Sequence, residues 1–194
     1  MNEQIRNGWL ASAQACPSPN FNPRPAGSVV SLLVIHNISL PPGQFGTGCV
    51  QQFFCNQLDS QQDPYFATIA DLRVSSHLFI ERDGGLTQFV SLSDRAWHAG
   101  ASSFESVTNC NDYSIGIELE GCDDIAYTEA QYQRLAGVTA LLLSRFPALS
   151  EQRVVGHQDI APGRKTDPGE AFDWLYFRSL LKQHLSTNHK IEPI

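Results

Sequence analysis

The fold class this sequence predicts is mixed α/β: one central mixed β-sheet of at least four strands, with helices packed on it. Three observations carry the prediction. Short β-rich runs occur at residues 29–35, 74–90 and 113–121. Two later segments, at 128–146 and from 173 onward, instead repeat their apolar residues three and four apart. No internal repeat or low-complexity block divides the 194 residues, a length that suits one domain burying roughly 70% of its unfolded surface.

Composition narrows the classes of function. With 42% hydrophobic and 17% charged residues the chain is ordinary globular material, and its apolar runs are far too short to cross a bilayer. A net charge of -7 argues against nucleic acid and against an anionic membrane surface. Anionic ligands must then be met by individually placed arginines. The first residues, MNEQIRNGWLASAQACPSPN, lack the apolar core of a secretory signal. Cys16, Cys49, Cys55, Cys110 and Cys122 form no C-x-x-C pair and are odd in number, which suits a reducing compartment. A cytoplasmic protein with no obligatory protein partner is expected.

In chain order, residues 1–28 are expected to form an N-terminal arm of the same domain, extended and irregular because CPSPNFNPRPAGS carries four prolines. The main body is expected over 29–185. Val29 to Ile35 reads as a buried strand closed by His36, with Asn37 and the Pro41-Pro42-Gly43 turn ending it. After a glycine-rich loop, Cys49 to Leu58 predicts a short helix burying Val50, Phe53, Phe54 and Leu58, with Cys49 and Cys55 packed; Asp63-Pro64-Tyr65-Phe66 reads as a loop. Two strands flank Asp83-Gly84-Gly85 as a hairpin. His77, on the first of them, is read as a packing residue outside any metal shell. Arg95 to Gly100 places Trp97 and His98 in a loop that suits either a pocket wall or core packing.

The alternation of residues 113–121 puts Ile115, Ile117 and Leu119 on one face and Ser114, Gly116, Glu118 and Glu120 on the other. That second face is either a solvated edge or a pair of carboxylates beside a site, with Gly116 leaving room for something bulky. Thr128-Glu129-Ala130-Gln131 is a capping box for a helix carrying Tyr132, Leu135, Thr139, Leu142 and Phe146, which Pro147 ends. Asp173 caps a second helix through Trp174, Phe177, Leu180 and Leu181, and residues 186–194 read as a frayed tail. His184 and His189 read as surface residues.

The segment VVGHQDIAPGRKTDPG, residues 154–169, concentrates the chemistry. His157 and Asp167 are metal-ligand types joined by a loop whose prolines and glycines let the chain double back around a small object. A zinc ion is the object predicted. A catalytic zinc takes three protein ligands and leaves a fourth position open, and His36, mounted where a buried strand ends, supplies the third. A carboxylate on the 114–120 face would serve as general base, and spacing alone does not choose between Glu118 and Glu120.

Taken together these motifs resemble the zinc-dependent N-acetylmuramoyl-L-alanine amidases of the type-2 amidase and peptidoglycan-recognition-protein superfamily. The resemblance runs from Gly8-Trp9-Leu10 to Trp174 through SLLVIHNISLPPGQFG, DPYFATIADLRVSSHLFIERDG, RAWHAGASSF, CNDYSIGIELEG and GHQDIAPGRKTDPG. It is strongest to the cytosolic branch that trims anhydro-muropeptides. It implies a single-domain fold of that type, one zinc per chain on His36, His157 and Asp167, and an anhydro-muropeptide substrate. It also implies Glu118 rather than Glu120 as the base, Lys165 beside the reacting carbonyl, and Arg73, Arg164, Asn37, Tyr65 and His98 at the substrate. Substitution of Glu120 is accordingly expected to be mild. One departure stands out: Thr108-Asn109 precede Cys110 where related amidases can present an arginine.

Overall fold

The computed structural model describes residues 4–188. Its N-terminal part forms a small hairpin, β1 (Ile5–Arg6) with β2 (Trp9–Leu10), and then β3 (Gln14–Ala15) and β4 (Phe21–Pro23). The arm is therefore not wholly irregular. β3 joins the main sheet beside β7 (Leu86–Gln88), and β4 pairs with β8 (Asp94–Ala96), because an extended proline-rich chain can add to an edge that lacks a partner. Arg24 then turns inward and donates to the carbonyls of Asn111, Asp112 and Ser114.

The main sheet has six strands in the order β12-β5-β11-β6-β7-β3. β5 (Leu32–Ile38), β11 (Ser114–Glu120) and β12 (Val154–Gly156) are mutually parallel, while β6 (Leu78–Ile80) and β7 form the expected antiparallel hairpin. β5 begins three residues later than the apolar run suggested and continues through His36 and Asn37. β11 supplies the ladder partners of both, Glu118 opposite His36 and Leu119 opposite Asn37, and so overrides their polar character, while β12 pairs only as far as Ile35. β11 is likewise central, so its carboxylates do not lie on a solvated edge: Ser114 to Glu120 are all buried.

Helices cover both faces. α3 (Glu129–Arg145) starts at Thr128 with both halves of its capping box formed, and α5 (Trp174–Asn188) packs against it. Their apolar stripes meet Leu33, Ile35, Ile115, Ile117 and Leu119 on one side of the sheet. On the other side α1 (Cys49–Phe54) and α2 (Pro64–Ile69) enclose a second cluster around Phe54, Phe66, Phe79 and Phe89. α1 stops short of the predicted Leu58, with Asn56 in the left-handed region (φ 58). Residues 63–66, read as a loop, open α2 instead: Asp63 accepts the Tyr65 N–H at 2.8 Å and Pro64 takes the first helical turn, where its missing N–H costs nothing. The expected tail is helical through Asn188, with Ser186 and Thr187 bonded back to the carbonyls of Lys182 and Gln183; His189 and the remaining tail residues lie outside the described residues.

Candidate metal centre and active site

Strand register brings the chemistry together. Glu118 of β11 lies opposite His36 of β5, and Gly156 of β12 lies opposite Ile35, so His157, the first residue of α4 (His157–Ile160), emerges one step away. Because side chains alternate, His36 shares its face with Leu32 and Val34 while Leu33 and Ile35 point to α3 and α5. Three parallel strand ends thus deliver two imidazoles and a carboxyl to one place, the usual location for a site in a parallel sheet.

The loop after α4 closes the arrangement. His36 Nδ1 and His157 Nδ1 are 2.9 Å apart, and Asp167 Oδ2 lies 3.1 Å and 3.0 Å from them. Asp167 is held there by its own backbone: its carbonyl accepts the Gln158 N–H at 3.1 Å, and the next carbonyl, Pro168, accepts from Asn37 Nδ2 and the Tyr127 hydroxyl. Asn37 therefore acts as a tether between β5 and the ligand loop, and it also donates to Asp123 Oδ1 at 2.8 Å.

The donor set fits a cation. His157 Nε2 faces the Ala99 carbonyl at 3.2 Å and must carry its proton there, leaving a lone pair on Nδ1. His36 Nε2 likewise bonds His98 Nδ1 at 2.9 Å, and His98 Nε2 reaches Ser114 Oγ at 3.1 Å. Two imidazole lone pairs and a carboxylate oxygen then converge within about one tetrahedral edge of zinc, on the order of 3.3 Å for its usual bond lengths. Burial keeps both rings neutral, pulling the His36 imidazolium down to about 4 and that of His98 well below the usual range. His36, His157 and Asp167 thus form a group able to hold a metal ion.

His98 is placed by Gly116, since any Cβ there would lie 2.5 Å from the His98 ring. The space foreseen at Gly116 is filled by an imidazole of the protein itself. His77 stands behind it, fully buried, accepting the Gly116 N–H on Nδ1 and donating from Nε2 to the Asp94 carbonyl, so it stays outside the metal group. Among the described residues Glu118 is unusual: Oε2 is buried with no hydrogen-bond partner, and burial raises its carboxyl pKa well above the usual range.

His36, His98, Glu118, His157 and Asp167 floor a cavity of about 630 Å³. Lys165, Arg164 and Thr166 line it on one side, Tyr65, Ile69 and Leu72 of the α2 region on another, and Trp97 on a third. Arg164 Nη2 donates to the carbonyls of Ala99 and Ala101, at 2.8 Å and 2.7 Å. Arg73 does not line the cavity; its Nη1 donates to the Ala70 and Leu72 carbonyls at the rim. Trp97, left open between core and pocket, is half-buried in the wall and donates to Asn22 Oδ1 at 2.6 Å. Asp123 was not foreseen as a lining residue, since one carboxylate in Cys122-Asp123-Asp124 carries no spacing signal. At the Thr108-Asn109 departure, Thr108 is exposed on β10 (Val107–Thr108), which pairs with β9 (Ser103–Phe104).

Comparison with known proteins places the sequence and the fold. A relative from Citrobacter freundii, 1,6-anhydro-N-acetylmuramyl-L-alanine amidase AmpD, is 55% identical over 177 residues, covering 91% of this chain and 94% of its own. A crystal structure of selenomethionine AmpD matches at TM-score 0.89 and 53% identity over 92% of this chain and 99% of that one. The Escherichia coli amidase AmiD, solved with anhydro-N-acetylmuramic acid-L-Ala-D-γ-Glu-L-Lys, matches at TM-score 0.57 and 28% identity, covering 81% of this chain and 60% of that one. The family model for N-acetylmuramoyl-L-alanine amidase spans residues 26–170, which include every residue of the metal group and its cavity. By sequence and by fold, this chain belongs to the N-acetylmuramoyl-L-alanine amidase family.

Proposed function

We propose that this protein is a zinc-dependent amidase that hydrolyses the amide between (1,6-anhydro-)N-acetylmuramic acid and the L-alanine of a stem peptide, in cytoplasmic recycling of soluble peptidoglycan fragments. The observation that carries the reading is the pairing, across one strand register, of a two-histidine, one-carboxylate metal group with a buried carboxyl that has a free oxygen. Relatives about half identical over nearly their whole length carry the AmpD name, which supports the choice of substrate.

His36, His157 and Asp167 would hold one zinc ion, whose Lewis acidity acts on the amide carbonyl and on water. Glu118 takes the proton of the attacking water and passes it to the leaving amine. Its raised affinity for a proton and its unpartnered oxygen suit both halves of that task. The Lys165 ammonium stabilises the oxyanion of the tetrahedral intermediate; removing such a donor costs on the order of a hundredfold to a thousandfold in rate. Arg164, Tyr65 and the rim Arg73 are assigned to the substrate. His98 and Asn37 act from behind the ligands, His98 by orienting His36 and Asn37 by holding the Asp167 loop. No nucleic acid, membrane or obligatory protein partner enters this scheme.

The test is hydrolysis of purified anhydro-muropeptide and of intact sacculi side by side, with zinc and after chelation. Zinc-dependent release of peptide from the soluble fragment, with sacculi nearly untouched, is the expected result. Comparable attack on sacculi would replace recycling with wall lysis, and binding without cleavage would make the protein a recognition module.

A further inference from the structure

Glu118 and Glu120 leave the same face of β11 two residues apart, yet their surroundings are opposite. Glu118 ends in the cavity with an unpartnered oxygen. Glu120, only 4% exposed, does not line the cavity. Its Oε1 accepts the Gly46 N–H at 2.5 Å and its Oε2 accepts the Arg82 N–H at 3.1 Å. Both are hydrogen bonds to an ionisable acceptor from backbone, the stronger kind.

The two donors belong to different segments. Gly46 sits in the glycine-rich loop after β5, in the left-handed region (φ 69) that only a residue without a Cβ enters freely. Arg82 follows β6, and its guanidinium lies over the Phe45 ring, 4.8 Å from the centroid, while donating to the Ala126 carbonyl at 2.7 Å. The loop is thus gripped from inside by Glu120 and from outside by Arg82. Its own bonds, Thr47 Oγ1 to the Leu40 carbonyl at 2.6 Å and Gly43 N to Ser39 Oγ at 2.9 Å, hold its shape; Ser39 Oγ, 3.2 Å from Cys122 Sγ, and buried Leu40 tie down its start, and Glu120 and Arg82 grip its far end at Phe45 and Gly46. The same loop carries Ser39, Leu40 and Pro42 into the cavity wall.

We propose that Glu120 is a positioning residue: its carboxylate latches Gly46 and so sets the wall formed by Ser39, Leu40 and Pro42, governing substrate affinity without taking part in bond cleavage. The effect on affinity rests on the amidase reading above; the latch does not. The expectation that substitution of Glu120 is mild is replaced by a selective one.

The experiment compares Glu120→Gln and Glu120→Ala with the native zinc-loaded protein in two ways. Amide hydrogen exchange should show Gly46 and Arg82 losing about tenfold or more of their protection in Glu120→Ala and less in Glu120→Gln, which keeps one acceptor. With soluble anhydro-muropeptide, KM should rise about tenfold while kcat stays within about threefold and zinc content is unchanged, the size of effect that one strong hydrogen bond supports. Unchanged protection overturns the latch, and a fall in kcat at constant KM makes Glu120 part of the chemistry instead. If Glu120→Ala does not fold, Phe45→Ala loosens the loop from outside and should raise KM in the same direction; an unchanged KM there overturns the proposal. Lack of turnover by the native protein would refute the amidase reading and leave the exchange result to judge the latch.

Discussion

A histidine is a ligand only when both of its nitrogens have the right neighbours. At His157 the Ala99 carbonyl takes the Nε2 proton and so turns the Nδ1 lone pair toward His36 and Asp167; at His36 the same task falls to His98. Asp167→Ala should therefore abolish stoichiometric zinc binding, read by metal analysis after dialysis, and take activity with it. Glu118→Gln should keep the zinc and lower kcat by roughly a hundredfold to ten-thousandfold, the usual worth of a general base. A variant that loses the metal as well would give Glu118 a different role. Gly116→Ala pushes a Cβ to within 2.5 Å of the His98 ring and should destabilise the fold by about 1–3 kcal/mol, as overpacking of a full interior does. It should also weaken zinc binding, because His98 can no longer hold His36 in place; unchanged zinc affinity would dissociate the two rings.

Elements matter here through the walls they carry. α2 is short, and a helix of six residues has little stability of its own, so its cap and its packed face hold it. Asp63→Ala removes the bond to the Tyr65 N–H and should cost about 1 kcal/mol. Since Tyr65 and Ile69 line the cavity, the expected kinetic signature is a raised KM with zinc content and kcat nearly unchanged. α2 also shows where local reading falls short: Asp63 to Phe66 reads as a loop, and the same residues start a helix when Phe66 and Ile69 find a core to enter. Local pattern did suffice for α3, whose capping box lies wholly within four residues, and for the β6–β7 hairpin, whose turn carries its own glycines.

Across the whole molecule, a line of buried imidazoles runs from the arm to the metal group. His77, against Arg24, is held neutral with a pKa near 3, chiefly by burial and then by the guanidinium. An unfolded chain would protonate the same histidine at about 6.5. Between those values the unfolded state binds more protons than the folded one, so stability falls as pH falls from about 6.5 toward 3 and is flat above. Urea unfolding at pH 7, 6 and 5 should show this loss, and His77→Gln should reduce the slope by on the order of 1 kcal/mol per pH unit. An undiminished slope would place the titrating groups elsewhere.

The sequence by itself determined the ingredients: which residues have ligand chemistry, that Glu118 and Glu120 share a face, where α3 begins, and, through long motifs in fixed order, the family. Each depends on residue type or on neighbours within a few positions, where side-chain alternation and capping act. Tertiary structure decided what required a partner distant in sequence. Parallel registry set Glu118 beside His36, the β11 ladder carried β5 past His36 and Asn37 to Ile38, and burial of β11 removed the solvated-edge alternative. The loop at Gly46, 74 residues before Glu120, took up the second carboxylate. Two identical side chains two residues apart thus came to opposite surroundings, because a carboxylate's environment is set by the donors that reach it and those donors arrive from elsewhere in the chain.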